Sequence, residues 1–177
     1  MDRLPLPSDR WALFLDLDGT LIDLAARPDL VTVPPGLVTV LQEIEARLTG
    51  ALAIVSGRSL AQIDALLDPW RPIAAGEHGA FCRLPSGAVV SSDPPAVPIS
   101  WRNALGGLDV SYPGVFVEQK TSAIAVHYRL APACEPSLRA LMHGLVAERS
   151  DEFVLMPAHM AWEIRTNSSL RSATRHQ

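Results

Sequence analysis

The chain has 177 residues, 48% of them hydrophobic, and a formal net charge of -4, enough to bury one ordinary domain or a small core with an inserted subdomain. Charges of both signs are scattered, which speaks against an electrostatic grip on nucleic acid or anionic lipid, and no apolar run reaches membrane-spanning length. The first ten residues mix Asp2, Arg3, Asp9 and Arg10 with prolines instead of a secretory leader's apolar stretch, so a cytoplasmic protein with Cys82 and Cys134 reduced is expected.

Trp11 to Leu15 is an apolar run followed by acidic residues and Gly19, the pattern of a strand buried on both faces of a parallel sheet with its loop beyond. Leu37, Val40, Leu41, Ile44 and Leu48 recur at helical spacing behind Pro34-Pro35-Gly36, and Ala51 to Val55 reads as a second buried strand. Ser59 caps a predicted short helix through Leu60, Ile63, Leu66 and Leu67, and Ile73 to Ala75 supplies a third strand. This β-α-β-α-β order predicts an α/β fold built on an open parallel sheet.

The pattern changes near residue 92, where Asp93-Pro94-Pro95 and Pro98 form a linker-like stretch before a weak helical candidate at Trp101 to Leu108. Val115 to Gln119 and Ala123 to Arg129 read as paired strands. Leu138, Leu141, Met142, Leu145 and Val146 mark a helix behind Pro136, and Phe153 to Met156 with Met160 to Arg165 form a hairpin around Pro157-Ala158-His159. The predicted organisation is a Rossmann-like core over residues 1–92, an inserted α+β unit over 93–165, and an atypical, disordered tail over 166–177.

Asp16-Leu17-Asp18-Gly19-Thr20 stands at the C-terminal end of the first predicted strand, where open α/β sheets gather ligands. Asp16 is placed to attack phosphorus and Asp18 to protonate the leaving alkoxide and then deprotonate water. A helix-capping turn is the rival reading. An EF-hand loop is not, because counted from Asp16 the glycine falls at position four and no glutamate occupies position twelve. Ser56-Gly57-Arg58, after the second predicted strand, offers a hydroxyl and backbone N–H groups to a phosphate, although serine and glycine there also suit an ordinary turn.

With Gly76-Glu77-His78-Gly79-Ala80 after the third strand, the chain resembles the haloacid dehalogenase (HAD) superfamily, and within it the trehalose-6-phosphate phosphatases. Val117-Glu118-Gln119-Lys120, His127-Tyr128-Arg129 and Trp162-Glu163-Ile164-Arg165 are similar to that family's cap-domain motifs, in the same order. The resemblance implies a HAD-like core, a cap over 93–165, and Mg²⁺ held by Asp16 and the backbone carbonyl of Asp18. It also implies phosphate binding by Ser56, Gly57 and Arg58, and a phosphorylated disaccharide lying between core and cap, with sugar hydroxyls on Glu118, Lys120 and Glu163. Glu77 and His78 are divided between loop structure and substrate contact, and His127 is expected to pack or hydrogen-bond.

The family's later lysine-glycine and Gly-Asp-Asp motifs have no counterpart here: Lys120 is the single lysine, and no acidic residue follows Glu163. The expected core is therefore incomplete, its first strand an apolar edge that invites self-association or a protein partner, and turnover is expected to be weak. The alternatives are a sugar-phosphate-binding module without turnover and a phosphatase for another sugar phosphate.

Overall fold

A computed structural model describes Ser8, residues 10–25 and residues 30–167. The chain divides into two compact units with the boundary between Ser92 and Asp93.

The first unit is a five-stranded sheet in the order β1-β2-β3-β4-β5, formed by β1 (Leu13–Asp16), β2 (Leu52–Val55), β3 (Ile73–Gly76), β4 (Phe81–Arg83) and β5 (Val89–Ser91). The first three strands are parallel, with Asp16 beside Val55. Helices α1 (Leu37–Arg47) and α2 (Leu60–Leu66) are the two crossovers, and successive right-handed crossovers in one direction place both on the same sheet face. There Leu41, Ile63 and Leu67 pack with Leu52, Ile54 and Ala74. A full capping box sets the start of α2: the Ser59 hydroxyl accepts from Gln62 N–H, and the Gln62 side chain accepts from Ser59 N–H.

Two expectations for this unit need correction. The sheet is mixed, because β4 and β5 add an antiparallel hairpin after β3; these strands are three residues each, too short for their periodicity to stand out. Nor is β1 buried on both faces: Phe14 is 71% exposed and Val55, on the same face two places along, is 40% exposed. The cause is positional, since among the described residues β1 is an edge strand bonded only to β2 and both crossover helices lie on the other face.

The second unit opens with α3 (Ile99–Leu105) and α4 (Leu108–Ser111), split at Gly106-Gly107 where one helix was expected. Its sheet runs β6-β7-β9-β8 and is fully antiparallel, built from β6 (Phe116–Gln119), β7 (Ala123–His127), β8 (Phe153–Ala158) and β9 (Ala161–Thr166). Helix α5 (Glu135–Ala147) lays Leu138, Met142 and Val146 against Ile124, Val126, Phe153 and Ile164; Leu141 faces away and is exposed. Trp101 joins this core, edge-on to Phe153 with ring centroids 5.1 Å apart.

The β8–β9 turn lies at His159-Met160, not at Pro157, which is a strand residue opposite Trp162. Because β8 is an edge strand, a proline there withholds no ladder hydrogen bond the sheet requires. Thr166, assigned from sequence to the tail, completes β9 and pairs with Phe153. Residues 168–177, the rest of that tail, lie outside the described residues.

Candidate active site

Seven of the sequence-predicted site residues collect at the C-terminal ends of β1, β2 and β3. Asp16 is the last residue of β1 and its side chain is exposed. Its carboxylate accepts one long hydrogen bond, from Thr20 Oγ1 at 3.5 Å. The chain then turns tightly: Thr20, Leu21 and Ile22 N–H groups all converge on the Leu17 carbonyl, and Gly19, at φ 80°, donates to Ile22 O. That turn buries Leu17 completely and carries Asp18 outward.

Asp18 does not face solvent alone. Arg58 Nε donates to its Oδ2 at 2.8 Å and the Arg58 terminal nitrogen to its Oδ1 at 2.7 Å. Such a two-point fork fixes orientation as well as charge. Arg58 itself is 8% exposed, and the reach spans 40 positions of sequence. The sequence reading placed Arg58 against phosphate; the geometry places its guanidinium on the acid/base candidate.

The loop Ser56-Gly57-Arg58 is held from below by β3 and the turn that follows it. Ser56 N–H donates to Ala75 O, Glu77 N–H to Arg58 O and His78 N–H to Ser56 O, while the Ser56 hydroxyl accepts from Arg58 N–H at 3.1 Å. Two glycines permit this close approach. A Cβ on Gly76 would sit 2.9 Å from the Arg58 carbonyl, a backbone atom unable to yield cheaply, and one on Gly57 would sit 2.8 Å from the His78 ring. The imidazole of His78 thus rests directly on the loop.

Glu77, His78 and Gly79 form a 3-10 turn in which all three residues have positive φ, at 47°, 57° and 85°. For glutamate and histidine this conformation costs on the order of 1–3 kcal/mol and persists only where surroundings impose it. Glu77 is buried and His78 exposed, so one anchors the turn while the other is presented at the loop.

The remaining predicted residues form a separate group in the second unit. Glu118 lies beside Ala125, and Ala125 beside Glu163, so both glutamates share one sheet face with β7 between them. Lys120 Nζ bonds Glu163 Oε1 at 2.7 Å, with both side chains nearly buried. To make that bond Lys120 must cross β7 at Ala123 and Ala125, small side chains that leave room for it. Glu118 is bonded instead to His127, Nε2 to Oε2 at 3.1 Å. The sequence reading missed both pairings; once the register sets Glu118 beside Ala125, strand parity places His127, like Ala123 and Ala125, on the Glu118 face.

Among the described residues no group of three or more His, Cys, Asp or Glu side chains is arranged to hold a metal ion. Asp16 and the Asp18 carbonyl remain as hard oxygen donors, which fits Mg²⁺, an ion commonly held by one or two carboxylates together with water and substrate phosphate. No helix of the described residues is long and apolar enough to cross a membrane.

Comparison with known proteins places these features in context. The family model for trehalose-phosphatase matches residues 14–170. A probable trehalose-phosphate phosphatase of Sinorhizobium fredii is 41% identical over 165 residues, 93% of this chain and 62% of its own length. The trehalose-6-phosphate phosphatase of Escherichia coli is 40% identical over 142 residues, covering 80% of this chain and 53% of that protein. The chain thus spans about half to three-fifths of the length of these curated relatives. Among solved structures, a trehalose-6-phosphate phosphatase related protein superposes with a TM-score of 0.76 at 21% identity, over 92% of this chain and 73% of the other. The C-terminal domain of the Candida albicans trehalose-6-phosphate phosphatase gives 0.74 at 22% identity, over 90% and 58%. A haloacid dehalogenase-like hydrolase from B. subtilis shares the fold more distantly, with a TM-score of 0.53.

Proposed function

The chain belongs to the trehalose-phosphatase family and has its α/β HAD-like fold, and on that premise we propose that it hydrolyses a sugar phosphomonoester, trehalose 6-phosphate foremost, through an aspartyl phosphate on Asp16. The observation that carries this reading is the division of labour between two carboxylates two residues apart. Asp16 is exposed at the end of β1, while Asp18 is held by Arg58.

In this scheme an Asp16 carboxylate oxygen attacks phosphorus and the phosphorus–oxygen bond to the sugar breaks. Asp18 gives its proton to the departing alkoxide, then accepts one from the water that hydrolyses the aspartyl phosphate, a role worth about 10²- to 10⁴-fold in rate. Arg58 acts as a holder: it fixes the direction of the Asp18 carboxylate, and one of its two bonds must loosen for a proton to pass. The Ser56 hydroxyl and the Gly57 N–H are offered to the phosphoryl oxygens, with the Arg58 N–H held on Ser56 Oγ and His78 over the loop. Asp16 and the Asp18 carbonyl would hold Mg²⁺, which when bound offsets repulsion between Asp16 and the phosphate dianion. In the second unit, assigned as the cap, Glu118, Lys120 and Glu163 are offered to sugar hydroxyls, for which a mixed carboxylate and ammonium face has both acceptors and donors. The same reading places the protein in the cytoplasm.

A second reading, a module that binds sugar phosphate without turning it over, is favoured by one feature: both Asp18 oxygens are engaged by Arg58, a geometry that suits holding charge more than passing a proton. Phosphate release from trehalose 6-phosphate with Mg²⁺, beside an Asp16→Asn variant and a panel of other sugar phosphates, separates the two. Release that falls at least about 10³-fold in the variant supports the enzyme. Saturable binding without release supports the module, and release indifferent to Asp16 overturns the nucleophile assignment.

A further inference from the structure

The two charged pairs on the β6-β7-β9 face have four members, and the functional reading uses three. The fourth is His127, at the end of the interior strand β7. It stands opposite Phe116 on β6 and Ala161 on β9. The Phe116 ring lies 5.8 Å from the imidazole, centroid to centroid, tilted by 36°, while the alanine leaves its other flank open. Beside the Phe116 ring, Nε2 meets Glu118 Oε2 at 3.1 Å. A carboxylate accepts only, so Nε2 carries the proton in this contact.

Glu118 is the member that needs an anchor. It sits on β6, an edge strand of this sheet, and a glutamate side chain has several rotatable bonds to restrain before it can meet a ligand in one geometry. Lys120 and Glu163 restrain each other, and His127 is an ionic partner of Glu118. Both side chains of the pair are mostly removed from water, where a hydrogen bond to a charged group is stronger and better directed.

We propose that His127 is a positioning residue for sugar recognition: its Nε2–H holds the Glu118 carboxylate in the orientation that receives substrate hydroxyls. The proposal rests on the assignment of Glu118 to substrate. His127 touches no reacting atom, and its effect is on affinity for the sugar, not on the phosphoryl end.

The test is titration calorimetry of the full chain with trehalose 6-phosphate, and with inorganic phosphate as a second probe that lacks the sugar. His127→Phe, which keeps an aromatic ring beside Phe116 but no donor, should weaken trehalose 6-phosphate binding about tenfold, the scale of one side chain left to be ordered on binding, and leave phosphate affinity unchanged. His127→Gln, which retains a donor, should stay within about threefold of the parent. In a Glu118→Ala background His127→Phe should add no further loss. Unchanged trehalose 6-phosphate binding in His127→Phe, an additive loss in the Glu118→Ala background, or a parallel fall in phosphate affinity each overturns the proposal. If His127→Phe does not fold, His127→Asn, whose shorter amide falls short of Glu118, takes its place with the same expected loss. A parent chain that binds phosphate but no sugar phosphate overturns the functional reading itself, and is distinct from a parent that binds and a variant that binds equally well.

Discussion

In the first unit the sheet face away from α1 and α2 carries Phe14 and Val55 in contact with water, and among the described residues its edge strand β1 is bonded on one side only. In the second unit the face away from α5 carries Lys120 and Glu163, which are nearly sealed from water and bonded to each other. An apolar side chain left exposed forgoes the gain of burial but imposes no other penalty. A charge taken out of water must be matched, because an unmatched one carries its full desolvation cost. The two faces should therefore respond to mutation in opposite ways: removing an apolar group from the first changes little, and removing one charge from the second changes much.

The largest expected effect tests that contrast directly. Lys120→Met removes the ammonium bonded to the buried Glu163 and should destabilise the second unit by about 3–5 kcal/mol. Pairing it with Glu163→Leu should recover most of the loss, measured by denaturant unfolding. A single variant within about 1 kcal/mol of the parent would break the comparison. Gly57→Ala comes next. The nearest atoms to its new methyl belong to the His78 ring, so stability should fall by about 1 kcal/mol or less, while displacement of the imidazole should weaken inorganic phosphate binding. Equal losses in stability and binding would mean that the loop as a whole had collapsed. The smallest effect belongs to Phe14→Ser, expected within about 0.5 kcal/mol of the parent in thermal unfolding, with less self-association in light scattering if the exposed face is adhesive.

Strands β1, β2 and β3 and helices α1, α2 and α5 were legible because each is a run of apolar residues with one periodicity between turn residues. The β4–β5 hairpin was not, since Phe81-Cys82-Arg83 and Val89-Val90-Ser91 are too short for alternation to be seen. Pro157 misled for a different reason: a proline signals a turn unless the strand is known to be an edge, and edges are a property of the assembled sheet. The candidate site shows the same limit. Asp16, Asp18, Ser56, Gly57 and Arg58 could be nominated from local motifs, yet the pairings Arg58–Asp18 and Lys120–Glu163 link residues 40 and 43 positions apart. Only strand order and register decide such partners. Glu118 and His127 are nearer, nine positions apart, but their contact too depends on which residues of β6 and β7 stand opposite each other.

The fork between Arg58 and Asp18 has a consequence for how an anion arrives. Without it, the end of β1 would show two bare carboxylates to an incoming phosphate dianion; with Arg58 neutralising Asp18, it shows one. Repulsion at that range acts on encounter, within a screening length of about 8 Å at physiological ionic strength, and so sets how often a ligand reaches the loop at all. A chain lacking the Arg58 guanidinium would capture anions more slowly, most visibly in dilute salt, where the surrounding electrolyte no longer hides the second charge.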